Sequence, residues 1–164
     1  MPERKPPALT VYVVRHAHAS PGKDDAARPL SRIGRGQMRQ MGKFLRKRGL
    51  LAAREFWHSP LVRSGETAQC LAKHLKRRVT FNQREGLLHD DPPAIMARQL
   101  ERVREPVAVV GHEPHLGALL SLLVNGAAKP VRFELQKGAV VALHRDRGRW
   151  LIQWHLAPEM LRKS

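Results

Sequence analysis

Val11-Tyr12-Val13-Val14-Arg15-His16 is an apolar run that ends in an arginine and a histidine, and Val107-Ala108-Val109-Val110-Gly111-His112 repeats the arrangement later in the chain. A strand that is apolar at every position, rather than at alternate ones, is buried on both faces and belongs to the parallel part of an α/β sheet. Open sheets of that kind place their ligand crevice outside the carboxyl ends of the strands. Two such strands, each delivering an imidazole to that end, predict one crevice built around His16 and His112, with Arg15 beside them.

The segments around these strands read as helices and turns. Met38, Met41 and Leu45, with Phe44 beside them, recur at helical spacing between Ser31 and Arg48, and Gly49 supplies the stop. Arg35, Arg39, Lys43, Arg46 and Lys47 occupy the other faces of this helix and read as a solvated surface. Residues 55–58 form a short strand and Ser59-Pro60 a turn. From Leu61 a helix places Ser64, Thr67, Ala68, Leu71, Ala72 and Leu75 on one face that packs on a sheet. Asp90-Asp91-Pro92-Pro93 predicts a helix start with an acidic cap, followed by a buried stripe of Ile95, Met96, Leu100 and Val103. Pro114 suits the first position of the helix after His112, which Leu116, Leu119, Leu120 and Leu123 line up to Asn125-Gly126. Arg145-Asp146-Arg147-Gly148, between residues 139–143 and 150–155, predicts an antiparallel hairpin in which Trp150, Ile152 and Trp154 alternate as packing residues. The element order predicts an α/β fold, a three-layer α/β/α domain with a mostly parallel central sheet and the C-terminal antiparallel hairpin at its edge. The expected organisation is a flexible basic tail over residues 1–8, one domain over 9–158 and a C-terminal tail over 159–164. Periodicity leaves the strand order open.

Composition narrows the function classes. The 164 residues suffice for one domain with a substantial core. Lys+Arg number 30 against 14 Asp+Glu, a formal charge of +16. Such a charge concentrates anionic partners without choosing among nucleic acid, acidic protein surfaces and phosphorylated ligands. The basic residues are dispersed, aromatic content is only 5% and no nucleic-acid-binding motif is present, so no specific nucleic-acid partner is expected. The single cysteine, Cys70, leaves no internal disulfide to form. No apolar run reaches the length of a membrane span, and residues 1–8 lack the apolar core of a signal peptide. The expectation is a cytoplasmic protein with no membrane partner.

The crevice residues suit phosphoryl transfer. A phosphate monoester or phosphoramidate is close to a dianion at neutral pH, and a nucleophile must overcome that charge. Arginine meets the need because its planar fork binds two non-bridging oxygens and stays charged. Arg15 is one such group, and Arg63, in the turn Ser59-Pro60-Leu61-Val62-Arg63 at a helix start, is the second, with free amides of the helix terminus nearby. A neutral imidazole at His16 can attack phosphorus and form a covalent phosphohistidine, and neighbouring arginines keep it unprotonated in the empty site. His112 can serve as a hydrogen-bond donor once the dianion arrives. His16 and His18 do not read as a metal pair, since no cysteine or carboxylate cluster completes a coordination sphere. Neither metal nor cofactor is expected.

Arg15-His16-Ala17, Arg28-Pro29-Leu30-Ser31 followed by Gly34, Ser59-Pro60-Leu61-Val62-Arg63 followed by Glu66-Thr67-Ala68, and Gly111-His112-Glu113-Pro114 occur in the order of the histidine phosphatase superfamily. The chain resembles that superfamily over about Val11 to Trp154. Its length and its Arg-Pro-Leu-Ser segment resemble the small phosphohistidine phosphatase branch, the SixA type. The resemblance implies His16 as nucleophile, Arg15 and Arg63 as phosphoryl ligands, His112 completing the pocket and Arg28 as an outer substrate contact. Ala17 stands where glycine is common. The general acid has two candidates, Glu85, in the region where larger relatives carry a glutamate, and Glu113, where another branch carries an aspartate; His89 and Asp90 lie close by in sequence. The implied activity is a phosphatase acting through a covalent phosphohistidine, with phosphohistidine on a protein or a small phosphorylated molecule as substrate. The alternatives are a phosphoglycerate mutase-like enzyme and a non-catalytic basic module that binds polyanions.

Overall fold

The computed structural model describes residues 8–162. Leu9–Arg15 (β1) and Val107–Gly111 (β4) are adjacent parallel strands at the centre of the sheet. Both are buried on both faces, as their unbroken apolar runs predict. Val11, Val13, Val107 and Val109 face one core, while Tyr12, Val14, Ala108 and Val110 face the other. Glu55–His58 (β2) pairs in parallel with β4, and Thr80–Gln83 (β3) in parallel with β2. Val140–Asp146 (β5) runs antiparallel to β1 and Arg149–Leu156 (β6) antiparallel to β5, so the six-stranded order is β3-β2-β4-β1-β5-β6. Helices Arg32–Arg48 (α1) and Val62–Leu75 (α2) cover one face of the sheet, and Pro93–Glu101 (α3) and His115–Asn125 (α4) the other. This is the expected three-layer α/β/α arrangement, with the hairpin at one edge.

Local chemistry sets the element ends. The Ser31 hydroxyl accepts from the Gly34 amide at the start of α1, and Gly49 closes that helix at φ 62°. Gly34 also lets the first turn of α1 approach the chain leaving β1: a Cβ there would lie 2.1 Å from the His18 carbonyl oxygen. At Gly42 a Cβ would lie 2.5 Å from His74 Cβ, so α1 and α2 meet closely at that point. Arg147 and Gly148, at φ 53° and 77°, form the tight turn between β5 and β6.

Several expectations are corrected. β3 is an edge strand with Thr80, Phe81 and Gln83 exposed, and so carries no apolar signal. No acidic side chain caps α3: Pro92 occupies the cap position, and the Asp91 carboxylate instead accepts from the Leu88 amide. Within α3, Met96, Ala97 and Leu100 are buried and Ile95 is 38% exposed. The alternation of Trp150, Ile152 and Trp154 is broken by a β-bulge opposite Ala142 and Leu143, which turns the strand over. Trp150 therefore joins the α3/α4 core, while Trp154 packs on the α1/α2 side, 6.1 Å from the Tyr12 ring. At the chain end, Pro158–Leu161 forms a 3-10 turn whose Leu161 packs against the α1/α2 core. The tail expected over residues 1–8 lies, apart from Ala8, outside the described residues. Among the described residues no helix is long and apolar enough to cross a membrane.

Gly34→Ala forces its methyl into the His18 carbonyl and is expected to cost about 1–3 kcal/mol. Gly36→Ala, with nothing within 4 Å of the added carbon, is expected to be neutral or to gain up to about 1 kcal/mol. Denaturant unfolding of the two variants checks this contrast, and equal stabilities would contradict it.

Candidate active site

The register of the central strands assembles the site. Arg15 lies opposite Gly111, so His16 and His112 leave adjacent parallel strands at the same level. The His16 amide donates to the Gly111 carbonyl at 3.0 Å, and the two rings are tilted against each other with centroids 5.1 Å apart. β2 ends one strand away, where the Ser59 amide donates to the Val110 carbonyl.

Each ring is held through one nitrogen. His16 is 8% exposed, and its Nδ1 lies 2.7 Å from the Ala17 carbonyl oxygen. A carbonyl only accepts, so Nδ1 carries the proton and Nε2 keeps its lone pair. Burial pushes the His16 pKa from 6.5 to about 4, with Arg63, Arg15 and Lys137 acting in the same direction and the Ala17 carbonyl against them. The neutrality expected from the arginines is thus present, but desolvation is its larger cause. His112 is 2% exposed, and its Nε2 meets the Ser59 hydroxyl at 2.6 Å. Ser59 Oγ also accepts from the Leu61 amide. The other ring nitrogen, Nδ1, is buried and has no hydrogen-bond partner among the described residues. Burial, followed by the charges of His16, Arg63, His89 and His115, lowers this pKa to about 3.

The arginines converge from separate elements. Arg63, in the first turn of α2, is buried; Nη1 donates to the Asp25 carbonyl at 2.9 Å and Nη2 to the Asp25 carboxylate at 3.2 Å. Arg15 donates from Nη1 to the Leu135 carbonyl at 2.8 Å, and its buried Nε has no partner among the described residues. Arg28, expected as an outer substrate contact, braces the loop after β1 through Nε to the Ser20 carbonyl and Nη1 to Asp25. Paired to both arginines, Asp25 has its pKa held down.

Hydroxyls supply positioning that the sequence reading counted as packing. Thr67 Oγ1 accepts from the Ala17 amide and donates to the Arg63 carbonyl, tying the residue after His16 to the turn that carries Arg63. Ser64 Oγ accepts from the Ser59 amide and donates to the Val110 carbonyl. All three hydroxyl residues are fully buried. The clue in the sequence is a helix face otherwise made of Ala and Leu that admits Ser64 and Thr67. Neither Asp25 nor Lys137, which borders Gly138, carries such a clue. The Gly138 amide donates to the carbonyls of Arg15 and His16, bringing the loop before β5 to the site.

Of the two candidate acids, Glu113 adjoins His112; its Oε1 accepts from the Gly117 amide at 2.7 Å. Burial raises its pKa against the pull of that amide and of Arg15. Glu85 is exposed in the turn after β3, and its backbone carbonyl accepts from Gln99 Nε2 at 3.0 Å. His89 is exposed, yet near enough for its charge to act on His112. Among the described residues no group of three or more His, Cys, Asp or Glu side chains is placed to hold a metal ion.

Residues 11–88 match the sequence model of the histidine phosphatase superfamily, branch 1. Over that stretch the chain is similar to this superfamily. Its fold matches the solved structure of the protein histidine phosphatase SixA complexed with tungstate, at TM-score 0.83 and 21% identity, over 94% of this chain and 100% of that one. The α-ribazole phosphatase of Shigella flexneri matches at TM-score 0.70 and 14% identity, over 88% and 95%. A phosphoglycerate mutase of Bacillus anthracis matches at 0.69 and 13%, over 91% and 93%. No curated protein sequence matches the chain.

The buried imidazoles make stability depend on pH. Unfolded histidines take up a proton near 6.5, whereas His16 and His112 do so in the fold only near 4 and 3. The unfolded state therefore binds more protons across that interval, and stability rises with pH through it. The full contribution is present above 6.5 and declines as pH falls below. The urea midpoint is expected to drop between about pH 7 and about pH 5, less steeply in His112→Gln. A midpoint that is level over this range would contradict the assignment.

Proposed function

We propose that this protein is a phosphatase that works through a covalent phosphohistidine at His16 and acts on phosphohistidine carried by a protein. The observation that carries this reading is the Nδ1 contact to the Ala17 carbonyl, which leaves Nε2 of a neutral, buried imidazole free beside Arg15, Arg63 and His112.

In the reaction the phosphoryl oxygens are bound by N–H groups of Arg15 and Arg63 beyond those used on Leu135 and Asp25, and by His112 Nδ1. Donors of this kind stabilise the charge that grows on the oxygens in the transition state. His16 Nε2 attacks phosphorus as the bond to the leaving group breaks. The product is a phosphoimidazolium whose Nδ1–H remains on the Ala17 carbonyl, which shares its positive charge. Water then attacks phosphorus, and the P–N bond breaks to release inorganic phosphate. His16 departs as a neutral imidazole and needs no proton; the water supplies oxygen and proton to the products.

The leaving group decides whether a dedicated acid matters. Phosphohistidine protonated on its ring releases a neutral imidazole, whereas an alkyl ester releases an alkoxide that must be protonated. Glu113, beside His112 with a raised pKa, is the donor for such esters. This supports the phosphoramidate as the easier substrate for a site with one partly engaged carboxyl. The SixA structure is described as that of a protein histidine phosphatase and was solved with tungstate, a tetrahedral oxyanion shaped like phosphate, which supports the same reading.

His16→Ala is expected to abolish the acid-labile phosphoenzyme and lower kcat/KM at least about 10³-fold. Full turnover by this variant would remove the nucleophile assignment. Glu113→Gln is expected to slow hydrolysis of an alkyl phosphate about 10²-fold while changing turnover of a phosphohistidine peptide far less. Equal losses on both substrates would remove Glu113 from the acid role, and loss of peptide turnover alone would reverse the substrate preference argued here.

A further inference from the structure

The helices α1 and α2 lie side by side on one face of the sheet, and the furrow along their outer surface encloses about 570 Å³. Arg35, Arg39, Lys73 and His74 line it, together with Glu66 and Cys70. The one carboxylate is engaged, since Arg35 Nη2 meets Glu66 Oε2 at 2.9 Å. Arg39 and Lys73 are exposed and take part in no salt bridge among the described residues. Lys43 and Arg46 extend the charge along α1; burial and these cations together hold the neighbouring His74 below its usual pKa. The furrow is therefore cationic without an internal counter-ion for most of its charge.

Its position relates it to the reaction site. Glu66 follows Arg63 by one turn of α2, and Lys73 lies ten residues from Arg63, about 15 Å along the helix. The furrow thus starts at the rim of the phosphoryl site and leads away from it. Across the crevice, on the α4 side, a recess of about 510 Å³ carries Glu113 and Glu134 with Phe133, Val131 and Arg132. One rim attracts anions and the opposite rim is mixed and carboxylate-bearing, so a macromolecular substrate meets a defined charge direction across the crevice.

Arg35, Arg39 and Lys43 recur every four residues on α1, a spacing of about 6 Å between neighbouring side chains. Carboxylates on a facing helix recur at the same interval. A single nucleic-acid strand fits less well, because the furrow holds a carboxylate and no Phe, Tyr or Trp for base stacking. We propose that the α1/α2 furrow is a docking surface for an acidic helical face of the protein that carries the phosphohistidine. The proposal rests on the phosphohistidine reading of the active site and adds to it the charge of the substrate's surroundings.

The test uses the full chain and its Arg39→Glu/Lys73→Glu double variant with two helix-forming phosphohistidine peptides. One carries glutamates on the face about 10–15 Å from the phosphohistidine, and the other has glutamine at those positions. Wild type is expected to favour the acidic peptide about 3- to 10-fold in kcat/KM at low salt, as two exposed ion pairs allow, and to lose the preference in about 0.3 M salt. The double variant is expected to show no preference while retaining wild-type turnover of the glutamine peptide, which also reports that it folds. Equal kcat/KM for both peptides in wild type, or a preference that survives the double substitution, would overturn the proposal. A single-stranded oligonucleotide that inhibits wild type but not the variant, without any acidic-peptide preference, would assign the furrow to nucleic acid instead. Failure to hydrolyse either peptide while a small phosphoester is turned over would remove the phosphohistidine reading itself, an outcome distinct from a lost preference.

Discussion

The parallel register of β1 and β4 is the constraint on which the site depends. Because Arg15 faces Gly111, the residue after each strand is a histidine at the same height, and the imidazoles lie 5.1 Å apart. A shift of one residue in either strand would exchange its two faces, since side-chain direction alternates along a strand. Both faces are packed against helices, so the register is enforced by two cores at once. The candidate site residues are thus placed by strands packed on both faces.

Burial does more than position these rings. Desolvation leads the causes that keep both imidazoles neutral, and the arginines reinforce it. The environment that keeps both rings neutral also opposes their protonation, so the free imidazole lone pair and the expected acid sensitivity have one origin. The buried hydroxyls of Ser59, Ser64 and Thr67 complete the arrangement by satisfying backbone amides and carbonyls that strand ends leave open. Asp25 performs a related task for Arg63: it fixes a buried guanidinium that would otherwise lack an anion in the resting site.

The distribution of charge outside the crevice acquires meaning only in three dimensions. A net charge of +16 says that anions are attracted, and nothing about where. Packing α1 against α2 at Gly42 brings Arg39 and Lys73, far apart in sequence, to one furrow that starts beside Arg63. The mixed rim with Glu113 and Glu134 on the other side of the crevice makes the cationic side directional.

The order of the elements other than β3, the two-sided burial of β1 and β4, the helix stop at Gly49 and the grouping of Arg15, His16, Arg63 and His112 are legible in the residues. Each rests on a local signal: period, cap chemistry or a motif at a strand end. What escaped that reading depends on partners distant in sequence. β3 is held only through its pairing with β2 and has no apolar face to announce it; the β6 bulge depends on how β5 presents Ala142 and Leu143. Arg28 lies within a motif, yet its role follows from Ser20 and Asp25 folding back onto it. The primary structure by itself determined which chemical groups stand at the carboxyl ends of the strands. Tertiary structure decided which nitrogen of each imidazole is engaged, which carbonyl or hydroxyl engages it and which loop flanks each arginine, because hydrogen-bond geometry and desolvation are properties of neighbours in space.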